Sequence, residues 1–398
     1  MPYVAPLPNV DLQVATRTLR FFTVSSARDL LKESEVWVIK IGSALLTRDG
    51  VGLDADAIDG WCEQISALLD DGKQVALVTS GAIAEGFRTL GLTQRPESIH
   101  ELQAAAAVGQ MGIVQAYEEG FRRHGRRTAL VLLTHDDLSD RQRYLNARGT
   151  LRTLISYGIV PVINENDSVA TDEIQLGDND TLAARIASLV SASVLVLLTD
   201  QNGLHEDDPR IRPNAPMVSE CSAFDSNLDD MVGFGSGTLG RGGMGTKLEA
   251  SRYAAHAGCH TVIANGREEG ILSAIANGRN VGTLLTADVA PLDARKQWIA
   301  ASVQKTGVIT LDSGAVHAVL EGGVSVLAVG VTGIEGDFER GDVVSIIGPD
   351  GVEVGKGLVN YGSVETELIK GHSSSSIEEL LGYVDEEELI HCDNLALS

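Results

Sequence analysis

Two lysines stand in this chain where a lysine is costly unless an anion answers it. Lys40 interrupts the apolar run VWVIKIG (36–42), and Lys247 closes the glycine-rich run GRGGMGTK (240–247) just ahead of a helical pattern. A lysine within a buried strand loses solvation, so it is expected either to reach an anionic ligand or to snorkel out from an edge strand. Gly42 removes a side chain where the backbone could approach a phosphate. The loop ahead of Lys247 suits contact with polyphosphate through backbone N–H groups and an ammonium, the alternative being a plain glycine linker. Two nucleotide-motif lookalikes lie here, and neither holds. GSGTLG (235–240) follows a polar segment in place of a strand, and GRGGMGTK carries Thr246 and Lys247 in the reverse of the G-x-x-x-x-G-K-[ST] order.

Polar clusters occupy the intervening segments. VTSGAIAEG places Ser80 and Gly81 where a strand turns into a helix. Backbone N–H groups at a helix start bind anions, although Ser80 could equally be a simple cap. Asn164, Glu165, Asn166 and Asp167 crowd one strand end, and Asp178, Asn179 and Asp180 crowd a helix start ten residues on. Asn and Asp also favour turns, but two such clusters exceed what two turns need and suggest a ligand with both donors and acceptors. Thr199 and Asp200 form the tip of the run SVLVLLTD.

The elements that must position these residues follow from hydrophobic patterning. Strands are expected at 36–42, 74–80, 128–134, 158–164, 193–200 and 260–265, several nearly all apolar as in a sheet buried on both faces. Helices are expected at 54–71, 100–124, 141–157, 179–190 and 246–258. Strand–helix alternation of this kind predicts an α/β fold with a mostly parallel central sheet sandwiched by helices, and ligands bound at the carboxyl ends of its strands. From Gly307 the chain reads as short β segments between glycine-rich turns, a small all-β module with a Pro-Asp-Gly hairpin turn at 349–351. The expected organisation is an N-terminal extension (1–34), poorly ordered; a first domain (35–290); the β module (303–380); and an acidic tail (381–398). SSSS (373–376) reads as a helix start ahead of IEELLGY.

Length and charge narrow the function classes. The chain has 398 residues and a formal charge of −24, so an anionic substrate must be drawn in by a local cluster of cations. Residues 305–370 carry four basic against ten acidic residues, a net of −6, which argues against RNA as a partner of the β module. The four scattered cysteines form no C-x-x-C pair, which predicts reduced thiols in a cytoplasmic protein and neither a disulfide framework nor a zinc site. No apolar run is long enough to span a membrane.

Taken together, VIKIGSALLT, VALVTSGAIAEG, AAAAVGQ, LNARGTLRTLI, GIVPVINENDSVAT, IQLGDNDTLAA, VLLTDQNGL, GRGGMGTKLEA and VGTLLTA resemble the amino-acid kinase family, in its order and spacing. The pairing of INEND with GDND is similar to the branch that phosphorylates the side-chain carboxylate of glutamate. The C-terminal module resembles the small β-barrel-like PUA domain that follows the kinase domain in that branch. The resemblance implies ATP-dependent formation of an acyl phosphate, the first step of proline synthesis, with Mg2+. Carried over by position, it implies that Ser80, Gly81, Asp167 and Asn179 hold glutamate. Thr199, Asp200 and the loop Arg241, Gly242, Gly243, Met244, Gly245, Thr246 and Lys247 would hold ATP. Lys40 and Lys247 would flank the transferred phosphoryl group, Lys40 also contacting ATP, and Asp180 would orient both. A homodimer or homotetramer and feedback inhibition by proline are implied by the same likeness. The loop departs from the family, which commonly has Thr at the position of Arg241 and Ser at that of Gly245. Relatives on the same fold acting on aspartate, carbamate or N-acetylglutamate are the competing reading.

Overall fold

The computed structural model describes residues 27–47, 52–92, 98–169, 179–207, 211–212, 214–233, 243–301 and 306–398. The first unit is built on an eight-stranded sheet. Its strands are β1 (Val36–Ile41), β2 (Gln74–Val78), β3 (Arg127–Leu133), β4 (Ile159–Glu165), β5 (Val194–Thr199), β6 (Glu220–Ser222), β7 (His260–Asn265) and β8 (Thr283–Thr286), in the order β3-β4-β2-β1-β5-β7-β8-β6. All neighbours are parallel except β7 and β8. β1, β2 and β5 lie inside the sheet and are apolar on both faces, so each feeds two cores. Trp37, Ile39 and Ile41 pack on one side with the Ala55–Asp70 helix, and Val38 packs on the other with the Asn179–Val190 helix. The chain fills one side of β1 with β2 and β4, then crosses to the other with β5. Strand carboxyl ends next to such a reversal leave a crevice that no crossover helix fills.

Of the expected extension, residues 1–26 lie outside the described residues, but Ala27–Glu33 is a helix. Its Leu31 is buried, and Arg28 donates to the carbonyl oxygens of Arg279, Val281, Ser219 and Gly282 at 2.7–3.1 Å. One guanidinium thus ties this helix to the β6–β8 end of the sheet, and the ordered unit begins ahead of the expected boundary at 35.

The second unit is a five-stranded sheet in the order β10-β9-β11-β12-β13, from β9 (Gly307–Leu311), β10 (Val331–Gly336), β11 (Val343–Ile347), β12 (Glu353–Leu358) and β13 (Leu395–Leu397). The Pro-Asp-Gly hairpin joins β11 to β12 as expected. The reading of this region as all β is corrected by helices at Ser313–Gly322, Ser363–Ile369 and Ile377–Leu381. The first of them starts because the Asp312 side chain accepts from the Ala315 N–H, ending the strand that GVITLDSGA had seemed to continue. The acidic tail is corrected as well. Leu389 and Ile390 are fully buried, and β13 pairs antiparallel with β12. The acidic stretch before them is pinned by Tyr361, whose hydroxyl donates to Glu386 O and accepts from the Asp385 and Glu386 N–H groups. The two units meet where Arg141 pairs with Asp342 at 3.7 Å, and the connecting helix Pro291–Ala301 packs on the second sheet, with Ile299 beside Val343, Leu358 and Ala396 and Lys356 donating to Ala300 O at 2.8 Å.

Candidate active site

The strand ends and helix starts that sequence singled out converge beside β1. Lys40 is the second-last residue of β1, and its Nζ lies 2.7 Å from Asp180 Oδ1. Lys247, in the first turn of the Met244–His256 helix, places its Nζ 3.0 Å from Asp180 Oδ2. Asp180 is fully buried, and the lysines are 6% and 5% exposed. Three charges sealed this deeply are tolerable only because each carboxylate oxygen meets one ammonium. Burial by itself would raise the Asp180 carboxyl. The ammonium groups of Lys40 and Lys247 overcome that and hold it below its ordinary value of 3.8. The carboxylate stays ionised, and one net positive charge is left over for an anion. Thr246 donates to the Gly243 carbonyl at 2.8 Å and lies 3.4 Å from Asp180 Oδ2, fixing the first turn of the helix that carries Lys247. A Cβ on Gly42 would sit 3.3 Å from Leu198 O and 3.8 Å from Lys40 Nζ, so glycine keeps the space beside the ammonium open.

A second, neutral cluster adjoins the triad. Asn179, the residue before Asp180, donates through Nδ2 to Thr79 O and to Asn164 Oδ1. Asn164 Nδ2 donates in turn to Gln110 Oε1 at 2.8 Å. Ser80 is buried, and Gly81 is the N-cap of the Ala82–Thr89 helix with φ 88° and no side-chain cap bond. The capping role open to Ser80 is therefore not the one it plays. Gly81 supplies a left-handed backbone that other residues adopt at a cost. Asp167 lies in the turn after β4, part-buried, while Thr199 Oγ1 donates to Asp200 Oδ1 at 3.1 Å at the tip of β5.

The structure thus brings Lys40, Asp180, Lys247 and Thr246 together, and sets Asn179 beside them. Met244 and Gly245 are in the first turn of the same helix and Gly243 is its N-cap. Asp178, Arg241 and Gly242 lie outside the described residues. Asn164 had been singled out only as part of a polar cluster, and Gln110 and Thr79 not at all. Gln110 sits within a run of Ala and Gly that reads as helix packing, and Thr79 contributes a main-chain carbonyl, which no side-chain pattern reveals. Asp180 gives one oxygen to each lysine. Among the described residues the cluster with metal-ligand chemistry is His391, Cys392 and Asp393, in the second unit.

Comparison with known proteins bears on this geometry. The amino acid kinase family matches residues 35–265, and the PUA domain matches 307–381. The glutamate 5-kinase of Thioalkalivibrio sulfidiphilus (strain HL-EbGR7) is 56% identical over 94% of this chain and all of its own length. Those of Ectopseudomonas mendocina (strain ymp) and Stutzerimonas stutzeri (strain A1501) are each 55% identical over 93% of the chain and their full lengths. With a strand lysine and a helix lysine meeting on one buried carboxylate, and relatives matched from end to end, the chain belongs to the amino acid kinase family and, within it, to the glutamate 5-kinases, with a PUA domain behind the kinase domain.

Proposed function

We propose that this protein transfers the γ-phosphoryl group of ATP to the side-chain carboxylate of L-glutamate, forming L-glutamyl 5-phosphate and ADP, the first step of proline biosynthesis. The observation that carries the reading is the buried Lys40–Asp180–Lys247 triad. A carboxylate oxygen attacks the γ-phosphorus, a new O–P bond forms, and the bond from phosphorus to the bridging oxygen of ADP breaks. No general base is required, since the acceptor is already ionised near neutral pH. The obstacle is repulsion between the carboxylate and the polyphosphate, about 4 kcal/mol for two unit charges at ~4 Å and an effective dielectric near 20. Lys40 and Lys247 offset it and follow charge from the attacking to the leaving oxygen, the positioning-plus-electrostatics strategy of phosphoryl transfer. Asp180 keeps both ammonium groups aimed at one point.

Asp167 is assigned to the glutamate ammonium. Ser80 and the backbone at Gly81 are assigned to the α-carboxylate, and Asn179 to the amino-acid site. Thr199, Asp200 and the loop from Arg241 to Lys247 are assigned to ATP, and Mg2+ arrives with the nucleotide as the MgATP substrate. A cytoplasmic location accords with there being no helix among the described residues long and apolar enough to cross a membrane. Assembly as a dimer or tetramer and inhibition by proline complete the proposal. Steady-state kinetics with glutamate, ATP and Mg2+, trapping the acyl phosphate as hydroxamate, tests it. Turnover with glutamate, and not with aspartate, carbamate or N-acetylglutamate, is expected. Turnover restricted to one of those other acids would overturn it. Repeating the assay with proline, and sizing the protein by light scattering, checks the last two points.

A further inference from the structure

The AAAAVGQ run of the Ile99–Arg123 helix is the motif that the triad leaves unused. Its small residues have a packing cause. A Cβ on Gly109 would lie 1.9 Å from Ala82 O, and one on Gly86 would lie 1.6 Å from Ala105 O. This helix and Ala82–Thr89 therefore touch backbone to backbone, and the contact brings the next residue, Gln110, to the end of β4.

There Gln110, Asn164 and Asn179 form a chain of amides, each at least nine-tenths buried. An isolated amide can be turned either way round, its oxygen and nitrogen being alike in shape. Here one main-chain group removes that freedom. Thr79 O only accepts, so Asn179 must face it with its NH2. Asn164 must then offer its oxygen to Asn179 and its NH2 to Gln110, which answers with Oε1. Both Asn179 protons are used in this way, and Oδ1 is the atom left for a ligand. That atom is an acceptor. Of the three charged groups of glutamate only the ammonium donates.

We propose that Gln110 is a positioning residue: through Asn164 it holds Asn179 with its acceptor oxygen toward the substrate ammonium, and so sets selectivity for an amino acid without touching it. The inference rests on the assignment of Asn179 to the glutamate site. Without Gln110 Oε1, the Asn164 NH2 is buried with nothing to accept it, and Asn164 is no longer anchored with its oxygen against the Asn179 amide, which then keeps only its bond to Thr79 O.

The test is a double-mutant cycle of Gln110→Met and Asn179→Ala, with glutamate, with glutarate (the same dicarboxylate lacking the ammonium) and with ATP as varied substrates. Gln110→Met is expected to raise the KM for glutamate about tenfold, the effect of one buried donor left without its acceptor. It should narrow the preference for glutamate over glutarate by a similar factor, leave kcat and the KM for ATP within about twofold, and add nothing to Asn179→Ala. An equal rise in the KM for ATP, or effects that multiply in the double variant, overturns the proposal. If Asn179→Ala raises the glutamate KM and Gln110→Met does not, the relay alone fails. If Asn179→Ala is itself without effect, the assignment of the glutamate site fails. Gln110→Leu replaces Gln110→Met should the latter not fold.

Discussion

Asn179 and Asp180 are consecutive residues at one helix start, yet they belong to opposite kinds of buried polar structure. Asp180 enters a cluster of full charges, two ammonium groups on one carboxylate. Asn179 enters a chain of neutral amides running through Asn164 to Gln110. The charged cluster suits a group whose charge moves during the reaction, because it can follow that charge with little rearrangement. The neutral chain suits recognition of a fixed donor, because its direction is set once by a backbone carbonyl. On the proposed reading, one helix terminus serves the reacting atoms with one residue and substrate identity with its neighbour.

Separate kinetic signatures should break this division if it is false. The largest effect is expected from Lys40→Ala and Lys247→Ala, each lowering kcat by about a thousandfold or more while circular dichroism stays native. Near-wild-type turnover in either would remove that lysine from the chemistry. Asp180→Asn keeps the shape and removes the charge that separates the lysines, and kcat is expected to fall about a hundredfold. The same carboxylate sets an acid limit. Its folded value lies below the ordinary 3.8, so its contribution to stability is complete above that value and is lost as pH falls through the lowered one. Acid unfolding of Asp180→Asn should accordingly lack this component, as read from denaturant midpoints between about pH 5 and pH 2. On the substrate side, Ser80→Ala and Asp167→Ala are expected to raise the glutamate KM about tenfold with little change in kcat. A change confined to the ATP KM would show the two subsites to be exchanged. The smallest kinetic effect belongs to Arg28→Ala. It strips a donor from four carbonyls at the far end of the sheet, and about 2 kcal/mol of stability should be lost with both KM values unchanged.

Much of this was legible in the sequence. Apolar runs such as VWVIKIG and SVLVLLTD located β1 and β5 to within a residue or so, because strands buried on both faces admit little else. Lys40 stood out as a charge inside such a run, Asp180 as part of a polar cluster at a helix start, and Lys247 as the close of a glycine-rich run. The relay did not. Gln110 is polar in a helix otherwise chosen for close packing, and the backbone carbonyl that directs the chain has no letter of its own. The region after 381 was misread for the opposite reason, as its acidic residues mask Leu389, Ile390 and Leu395, whose burial becomes evident only beside β12.

The strand order has a consequence for synthesis. β1 pairs with β2 on one side, but its other edge waits for β5, from Trp37 against Val194 to Ile41 against Leu198. Roughly 150 residues must be translated between the two strands, about 8 to 30 s on the ribosome at ordinary elongation rates. For that interval an apolar strand is open along one side, and for most of it the strand's lysine lacks Asp180. A nascent chain in this state exposes an unpaired apolar edge, and slow codons between β4 and β5 would lengthen that exposure.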